Sequence, residues 1–256
     1  MTATLRCPQC GGENPLPSGE RVLRCRFCDA SLFVDRSGLV SHYRLPRLLD
    51  RAQAEAALRR WMAGNDTVKD LDVHARVEEL APMSFPVWMF RYQEAADIGG
   101  VLVRPAAPTP EAGMADLEIP GGSLVPFQAA PASEEETVAA TVPLETARAW
   151  LAAPGAQGGA ARQPTETALV QVPFWRATYA YGGRSWTTWI EGSTGSAVAS
   201  VYPAKAEAPF LLVAALGLLL FGVEGLLIVD LLWKAVAFAV TAVPMTWIAW
   251  WVAKRV

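Results

Sequence analysis

The sequence has few of the residues on which enzymes and secreted proteins depend. It contains four cysteines, all at or before Cys28, and two histidines, His42 and His74. Cysteines grouped this closely do not form a disulfide framework spread over a secreted fold. Neither histidine has an obvious nucleophile partner, and no P-loop, G-x-S-x-G or H-E-x-x-H pattern occurs. We therefore expect a protein that is not an enzyme and has no catalytic or organic-cofactor residues.

Two further absences concern charge and targeting. The net charge is −3 and no basic cluster occurs, so the sequence does not indicate a polyanionic partner. Met1–Arg6 has no apolar run, and we expect no signal peptide. The soluble region is thus expected to remain in the cytoplasm.

The four cysteines form two C-x-x-C pairs, Cys7 with Cys10 and Cys25 with Cys28. Tetrahedral zinc takes four thiolates, and a two-residue gap lets one tight turn direct two sulfurs at the same ion. A redox dithiol would explain one pair but not two. The sequence therefore predicts a structural Zn²⁺ held by these four residues in a zinc ribbon over residues 1–40.

The partner of this ribbon is predicted from its charge. Residues 1–47 carry more arginines than acidic residues, but four thiolates on one Zn²⁺ contribute about two negative charges. Nucleic-acid binding draws on several Lys or Arg contacts to phosphates. We expect the ribbon to be a folded cap or a protein-docking module, with nucleic-acid binding as the alternative.

The C-terminal stretch Pro209–Ala253 is apolar enough to enter a membrane. Leu211–Val229 holds Glu224 as its only charge, and Ala235–Ala253 holds none. One helix over the whole stretch would be roughly 65 Å long, whereas the hydrocarbon core is about 30 Å thick. The sequence therefore predicts a two-helix transmembrane hairpin over residues 209–253, with its turn at Asp230–Lys234.

Positive charge places both ends of this hairpin on the cytoplasmic side. Lys205 precedes the first span and Lys254 and Arg255 follow the second, against Lys234 alone in the turn. By the positive-inside rule, we expect both ends in the cytoplasm. With two spans, we expect a multi-pass protein, which we place in the cell (inner) membrane. Glu224 is expected to reach the interface or, alternatively, to contact a membrane helix of a partner.

Between the ribbon and the spans, one order of elements occurs twice. Leu58–Ala63 resembles Ala147–Ala152, and Phe85–Tyr92 resembles Val172–Tyr179. The sequence predicts an α+β fold with two repeated helix-plus-β-meander units, a first at 41–104 and a second at 122–205, joined by a Pro/Ala linker at 105–121. Chance similarity in a sequence rich in Trp and Ala is the alternative.

The elements inside these units are predicted from local patterns. Asp50–Gly64 is an amphipathic helix with Asp50 as N-cap and Gln53 completing a capping box. Period-2 patterns predict the strands, and Gly182–Gly183 predicts a turn between two of them. We place the strands at Val73–Leu80, Pro86–Glu94, Val101–Val103, Thr167–Tyr181 with a break at Pro173, Arg184–Glu191 and Ser196–Tyr202.

Two groups of side chains have a structural and a functional interpretation. Asp70, Asp72 and His74 would share one face of a strand, as in a metal site, but an ordinary half-buried strand explains the same pattern. Four tryptophans are expected to be core residues or interface contacts rather than a cofactor site: Trp88, Trp175, Trp186 and Trp189.

These features together resemble bacterial membrane-anchored TFIIB-type zinc-ribbon proteins. The resemblance rests on the four cysteines, the P-x-W-x-x-x-Y strand, the Glu191–Gly195 turn and the C-terminal spans. The helix, strands and turn are also loosely similar to PepSY-like units. The resemblance implies a role in membrane stress or membrane organisation, with partners such as SPFH or phage-shock proteins.

We therefore expect a membrane-anchored scaffold or adaptor whose tandem units and ribbon bind protein partners. Trp186 and Trp189 are expected to carry that contact, because tryptophan is enriched at interface hot spots. The alternatives are an accessory subunit of a transporter or membrane enzyme docked through its hairpin, and a membrane-tethered nucleic-acid-binding ribbon.

Overall fold

The computed structural model describes residues 4–16, 19–35, 38–93, 99–109, 114, 117, 119, 124–128, 135–152, 164–205 and 208–255. The chain divides into two compact units, whose bounds differ from those of the two repeated units expected from the sequence. The first contains Met1–Arg59 and Ala75–Tyr202, and the second contains Arg60–His74 and Pro203–Val256. The α+β class is confirmed.

The described residues form twelve strands and five helices. In chain order they are β1 (Thr4–Arg6), β2 (Glu13–Pro15), β3 (Val22–Arg24), β4 (Ser31–Asp35), β5 (Gly38–Arg44), α1 (Arg51–Met62), α2 (Leu71–His74), β6 (Arg76–Gln93), β7 (Gly99–Pro105), β8 (Val125–Pro126), β9 (Glu136–Thr137), α3 (Leu144–Ala152), β10 (Pro164–Tyr181), β11 (Arg184–Glu191), β12 (Ala197–Val198), α4 (Ala208–Leu227) and α5 (Leu231–Arg255).

The first unit is built around two long antiparallel strands, β6 and β10. They pair from Pro164 opposite Tyr92 to Ala180 opposite Arg76. On the outer side of β10, β5 pairs in parallel with the first half and β11 pairs antiparallel with the second half. On the outer side of β6 lie β7 and β9. The ribbon strands β3 and β4 join the same sheet through β5.

Both long strands run through prolines, which corrects two sequence predictions. Residues 76–80 of the expected strand Val73–Leu80 and residues 86–93 of the expected strand Pro86–Glu94 belong to the single strand β6, and β10 is not broken at Pro173. The carbonyls of Pro86 and Pro173 accept hydrogen bonds from Ala106 and Gly192 on the outer sides of the strands. The N and the C=O of a strand residue point to the same side, so the N–H that each proline lacks would also have pointed outward. Each proline lies where one outer strand ends and the next begins, so no ladder hydrogen bond is lost there.

The two faces of the β6–β10 pair are both buried. One face carries Met83, Phe85, Val170 and Val172 into a core that Trp189 completes. The other carries Trp88, Phe90 and Leu169, which pack against α3 through Leu144, Ala147 and Leu151. This burial explains why β10 is apolar without alternation over much of its length.

Met114, Leu117 and Ile119 belong to the range predicted as a Pro/Ala linker. Met114 is fully buried in the first core, and Leu117 and Ile119 pack against it. The remaining residues of 110–123 lie outside the described residues.

The tryptophans at the two repeated motifs make reciprocal contacts. Trp88 Nε1 donates to the Val142 carbonyl at 2.9 Å, two residues before α3. Trp175 Nε1 donates to the Leu49 carbonyl at 3.2 Å, two residues before α1. Each long strand therefore fixes the start of the helix that precedes the other long strand.

Local signals at helix α1 and at two turns are confirmed. Asp50 Oδ1 accepts from the Gln53 amide at 2.8 Å, and Gln53 Oε1 accepts from the Asp50 amide at 3.0 Å, forming the predicted capping box. Gly182 and Gly183 have φ values of 58° and 73°, as a type I′ hairpin turn requires. In the predicted Glu191–Gly195 turn, the buried Glu191 carboxylate accepts from the Ser193 and Thr194 amides.

The second unit contains the two apolar helices. Leu231–Val252 is long and apolar enough to cross a membrane, and Leu211–Leu227 is a shorter apolar helix within the described residues. The chain turns at Asp230, whose carboxylate caps α5 by accepting from the Leu232 and Trp233 amides at 3.0 and 3.1 Å. Pro244 lies inside α5.

The two helices run antiparallel: a Cβ atom at Gly217 of α4 would contact Met245 of α5, whereas one at the later Gly225 would contact the earlier Phe238. Phe221 also packs edge-on against Phe238, with ring centroids 5.6 Å apart, and Thr241 Oγ1 donates to Glu224 Oε1. In the same unit, Thr67 forms a β-bridge with Ala204 just before α4.

The segment containing Asp70, Asp72 and His74 is not a strand. It forms the short helix α2, and His74 Nδ1 lies 3.4 Å from Asp70 Oδ2. Because helical spacing replaces alternation here, the expectation that all three residues share one strand face is wrong.

Trp189 and Trp186 differ in burial, which gives a stability prediction. Trp189 is 7% exposed and packs between Phe85 and Phe174, whereas Trp186 is half-buried. We expect Trp189→Ala to lower the free energy of unfolding by about 3–5 kcal/mol, since it leaves a large cavity. Trp186→Ala, the matched control, should lower it by about 1 kcal/mol. Denaturant titration in detergent measures both, and equal losses would contradict this assignment of the core.

Candidate metal centre

The four cysteines lie in two turns with the same backbone geometry. Cys7 follows β1, its amide donates to the Gly12 carbonyl, and its carbonyl accepts from Gly11. Cys25 follows β3, and the corresponding bonds go to Ala30 and come from Asp29, all at 2.9 Å. Each turn thus brings two sulfurs to one side of a tight loop.

The fourth residue after each first cysteine has a left-handed backbone. Gly11 has φ 74° and Asp29 has φ 58°. Glycine adopts this conformation without cost, and aspartate is one of the few other residues that does so regularly. Asp29 also pairs with Arg24 at 2.9 Å. Asp29 thus gives the second turn the backbone geometry that Gly11 gives the first.

The sulfur atoms form a compact group. Cys7 Sγ lies 3.8 Å from Cys28 Sγ, and Cys10 Sγ lies 3.6 Å from Cys25 Sγ. All four sulfurs lie within 4.8 Å of one another. Tetrahedral ligands about 2.3 Å from a metal are about 3.8 Å apart. The cluster therefore has the size needed to hold one metal ion.

Burial divides the ligands into two kinds. Cys7 and Cys25 are 3% and 2% exposed, and they pack with Ala30 and Leu32 in a small core. Cys10 and Cys28 are exposed. One side of the site is therefore buried in the protein, and the other side is accessible to solvent.

Asn14 supports the site and was missed in the sequence. Its side chain is buried, donates to the Gly12 carbonyl at 3.0 Å and lies 3.5 Å from Cys25 Sγ through Nδ2. Its Oδ1 accepts from the Arg26 amide at 3.0 Å. One side chain thus ties the two cysteine turns together, as outer partners of metal ligands do. Only its position after the first C-x-x-C could have indicated it.

The ionisation of the thiols favours a cation between them. Burial opposes ionisation of Cys25, but the Phe27 and Cys28 amides and Asn14 outweigh it and lower its pKa to about 6. The Ala30 amide favours the Cys28 thiolate, yet burial and the other cysteines raise its pKa to about 12. More than one thiolate in so small a space requires a positive charge, which a metal ion supplies.

The other groups considered from the sequence do not form a comparable site. Within the described residues, the four cysteines are the only group of three or more His, Cys, Asp or Glu residues placed to hold a metal. His42 is buried among aromatic rings, and His74 is exposed beside Asp70.

Comparisons with known proteins give no relative for this arrangement. No protein-family model, no curated protein and no solved structure matches the chain.

The metal centre predicts the metal content of the protein. We expect elemental analysis of the purified chain to find one metal ion per molecule, because the four thiolates complete a tetrahedral site. The Cys25→Ser/Cys28→Ser double variant should contain none, since two ligands do not retain the ion. Arg26→Ala alters the same turn without removing a ligand and should keep the metal. Metal retained in the double variant would show that these cysteines are not the ligands.

Proposed function

We propose that this chain is a membrane-anchored scaffold or adaptor that holds a structural zinc ion and binds protein partners. Zinc is the metal because four thiolates in tetrahedral arrangement suit it and because the pairs come from two C-x-x-C turns. The proposal includes the resemblance of the chain to bacterial membrane-anchored TFIIB-type zinc-ribbon proteins.

The membrane part of the proposal is a hairpin of two spans. Helix α4 has 20 residues and α5 has 25, close to the length of about 20 that a crossing needs. Leucines on both helices are largely exposed, as lipid-facing residues are: Leu212, Leu218, Leu219, Leu226 and Leu232. The Glu224 carboxylate accepts from Thr241 of the same hairpin, which supports an internal role over contact with a partner helix.

Tryptophans on α5 agree with a span of bilayer thickness. Trp233 is 70% exposed near its start, and Trp247 and Trp250 are 63% and 55% exposed near its end. At about 1.5 Å per residue, Trp233 and Trp250 are roughly 25 Å apart along the helix. Tryptophan is enriched at both membrane interfaces, so these residues mark the two borders of the bilayer.

The same proposal includes a duplicated α+β unit. Phe85 and Val172 hold corresponding places in the two similar motifs, and they pair with each other in the β6–β10 ladder. The reciprocal bonds from Trp88 and Trp175 to the starts of α3 and α1 support this relation. Two copies joined about a local two-fold axis would produce these contacts.

The adaptor role is carried by the exposed Phe27. It lies between Cys25 and Cys28, and its side chain is 64% exposed instead of being packed into the core of the ribbon. Its ring covers Gly12, where a Cβ atom would clash with it, so the metal-bound turns hold it in place. A rigid, exposed aromatic side chain is a typical interface contact. Trp189 is a core residue, so the contact is assigned to the ribbon rather than to that tryptophan.

The two-span hairpin predicts the location of the C-terminus. A reporter fused after Val256 should be active on the cytoplasmic side, and a reporter fused after Trp233 should be active on the opposite side. Lys205, Lys254 and Arg255 favour this orientation by the positive-inside rule. Two reporters active on the same side, or on opposite sides with the reverse assignment, would refute the topology.

The adaptor role predicts a loss of partner binding when Phe27 is removed. Full-length protein purified from its native membranes in detergent should retain a defined protein, identified by mass spectrometry. Phe27→Ala should lower its recovery about 10-fold or more, as hot-spot truncations do, while the metal content stays the same. Val101→Ala, at an exposed apolar residue of β7, is the control. If the wild type retains no defined protein, or both variants retain it equally, the adaptor role at Phe27 is wrong.

A further inference from the structure

A polar cavity lies in the first unit, outside the metal centre. Its volume is about 260 Å³, and its floor includes Ser84 of β6 and Gln171 of β10. Both side chains lie on the sheet face that α1 and α3 cover at its two ends, because Trp175 and Trp88 of that face contact the helix starts. Most of the residues that line the cavity are polar, and its apolar members are Leu45, Pro46, Phe127 and Pro173.

The cavity floor holds a buried amide. Gln171 is 4% exposed and Ser84 is 8% exposed, and Ser84 Oγ donates to Gln171 Oε1 at 3.3 Å. Gln171 also lines the cavity, so a ligand atom that accepts hydrogen bonds can reach its amide group.

Two arginines line the cavity, and they differ in their hydrogen bonds and ion pairs. Arg47 donates to Glu135 Oε1 at 2.7 Å and its guanidinium lies over the Trp175 ring, but its Nε is buried without a partner. Arg44 pairs with Gln171 in the β5–β10 ladder, which places both side chains on one sheet face. Arg44 is half-buried and makes no hydrogen bond or ion pair within the described part of the chain.

The charge of the lining selects the ligand class. Among the lining residues that the structure describes, Arg44 and Arg47 face one carboxylate, Glu135, which leaves one positive charge. His42 lies behind Phe127, with ring centroids 4.0 Å apart, and burial lowers its pKa to about 4, so it stays neutral. A monoanion matches one free guanidinium, and a planar carboxylate can accept from Arg44 and from an amide together. The cavity volume is smaller than the volumes of sites for larger ligands, which are about 300–1,000 Å³.

We propose that this cavity binds the carboxylate group of a small ligand through Arg44 and Gln171. The carboxylate belongs to a free organic acid or to the C-terminus of a polypeptide, since both present the same group. This site is independent of the proposed membrane and adaptor roles, and either can fail without the other.

Ligand-observed NMR titration of the full chain in detergent tests this site. The probes are propionate, glutamate, the tripeptide Gly-Gly-Ala and its C-terminal amide, with inorganic phosphate as the competing anion. We expect saturable binding of at least one carboxylate and none of the amide. Binding of propionate or glutamate indicates a free acid, and binding of the tripeptide alone indicates a polypeptide C-terminus.

Variants at Arg44 make the assignment specific. Arg44→Gln should weaken carboxylate binding about 10-fold or more, the loss expected for a hydrogen bond to a charged group. Arg44→Lys keeps the charge without the planar fork and should lose less. Arg184→Gln, at an exposed arginine of β11, is the control and should bind as the wild type does.

Three results would overturn the proposal. They are no saturable binding of any carboxylate, equal binding by the Arg44 variants and the wild type, and phosphate binding as tight as that of the carboxylates. Unfolding temperatures of the variants are measured in parallel. If Arg44→Gln does not fold, Arg44→Lys against Arg184→Gln decides the outcome.

Discussion

The antiparallel pairing of β6 with β10 is the contact on which the rest of the first unit depends. Both strands are buried on two faces, and each supplies edges for shorter strands that have little pairing of their own. Short strands are only marginally stable alone and need such a template. The starts of α1 and α3 are fixed by tryptophans of the same two strands. Prolines are tolerated in both strands because the missing donors fall where the outer neighbour changes.

Local features of this structure could be predicted from the sequence, and non-local ones could not. The two C-x-x-C turns, the Asp50–Gln53 capping box and the Gly182–Gly183 turn are written in adjacent residues, and each was confirmed. The unbroken course of β10 through Pro173 depends on which strands lie beside it, which no local pattern shows. The same holds for the parallel pairing of β5 with β10 and for the burial of Trp189.

The metal centre and the sheet have different sources of stability. The core of the ribbon contains Cys7, Cys25, Ala30 and Leu32, which is too few apolar side chains to support a fold without a further link. Metal ligation by the four cysteines would supply that link, since binding free energy at such sites is also folding free energy. The long strand pair has its own extensive core. We therefore expect the position of Phe27 to depend on the metal and the strand pair to be independent of it.

Hydrogen–deuterium exchange of the full chain, before and after metal removal by a chelator, tests this division most directly. With metal present, peptides from β6 and β10 should exchange most slowly in the first unit and at similar rates, since they open together. After removal, peptides within residues 4–35 should exchange faster while those from β6 and β10 keep their rates. Fast exchange in either long strand with metal bound, or loss of protection there after chelation, would contradict the account.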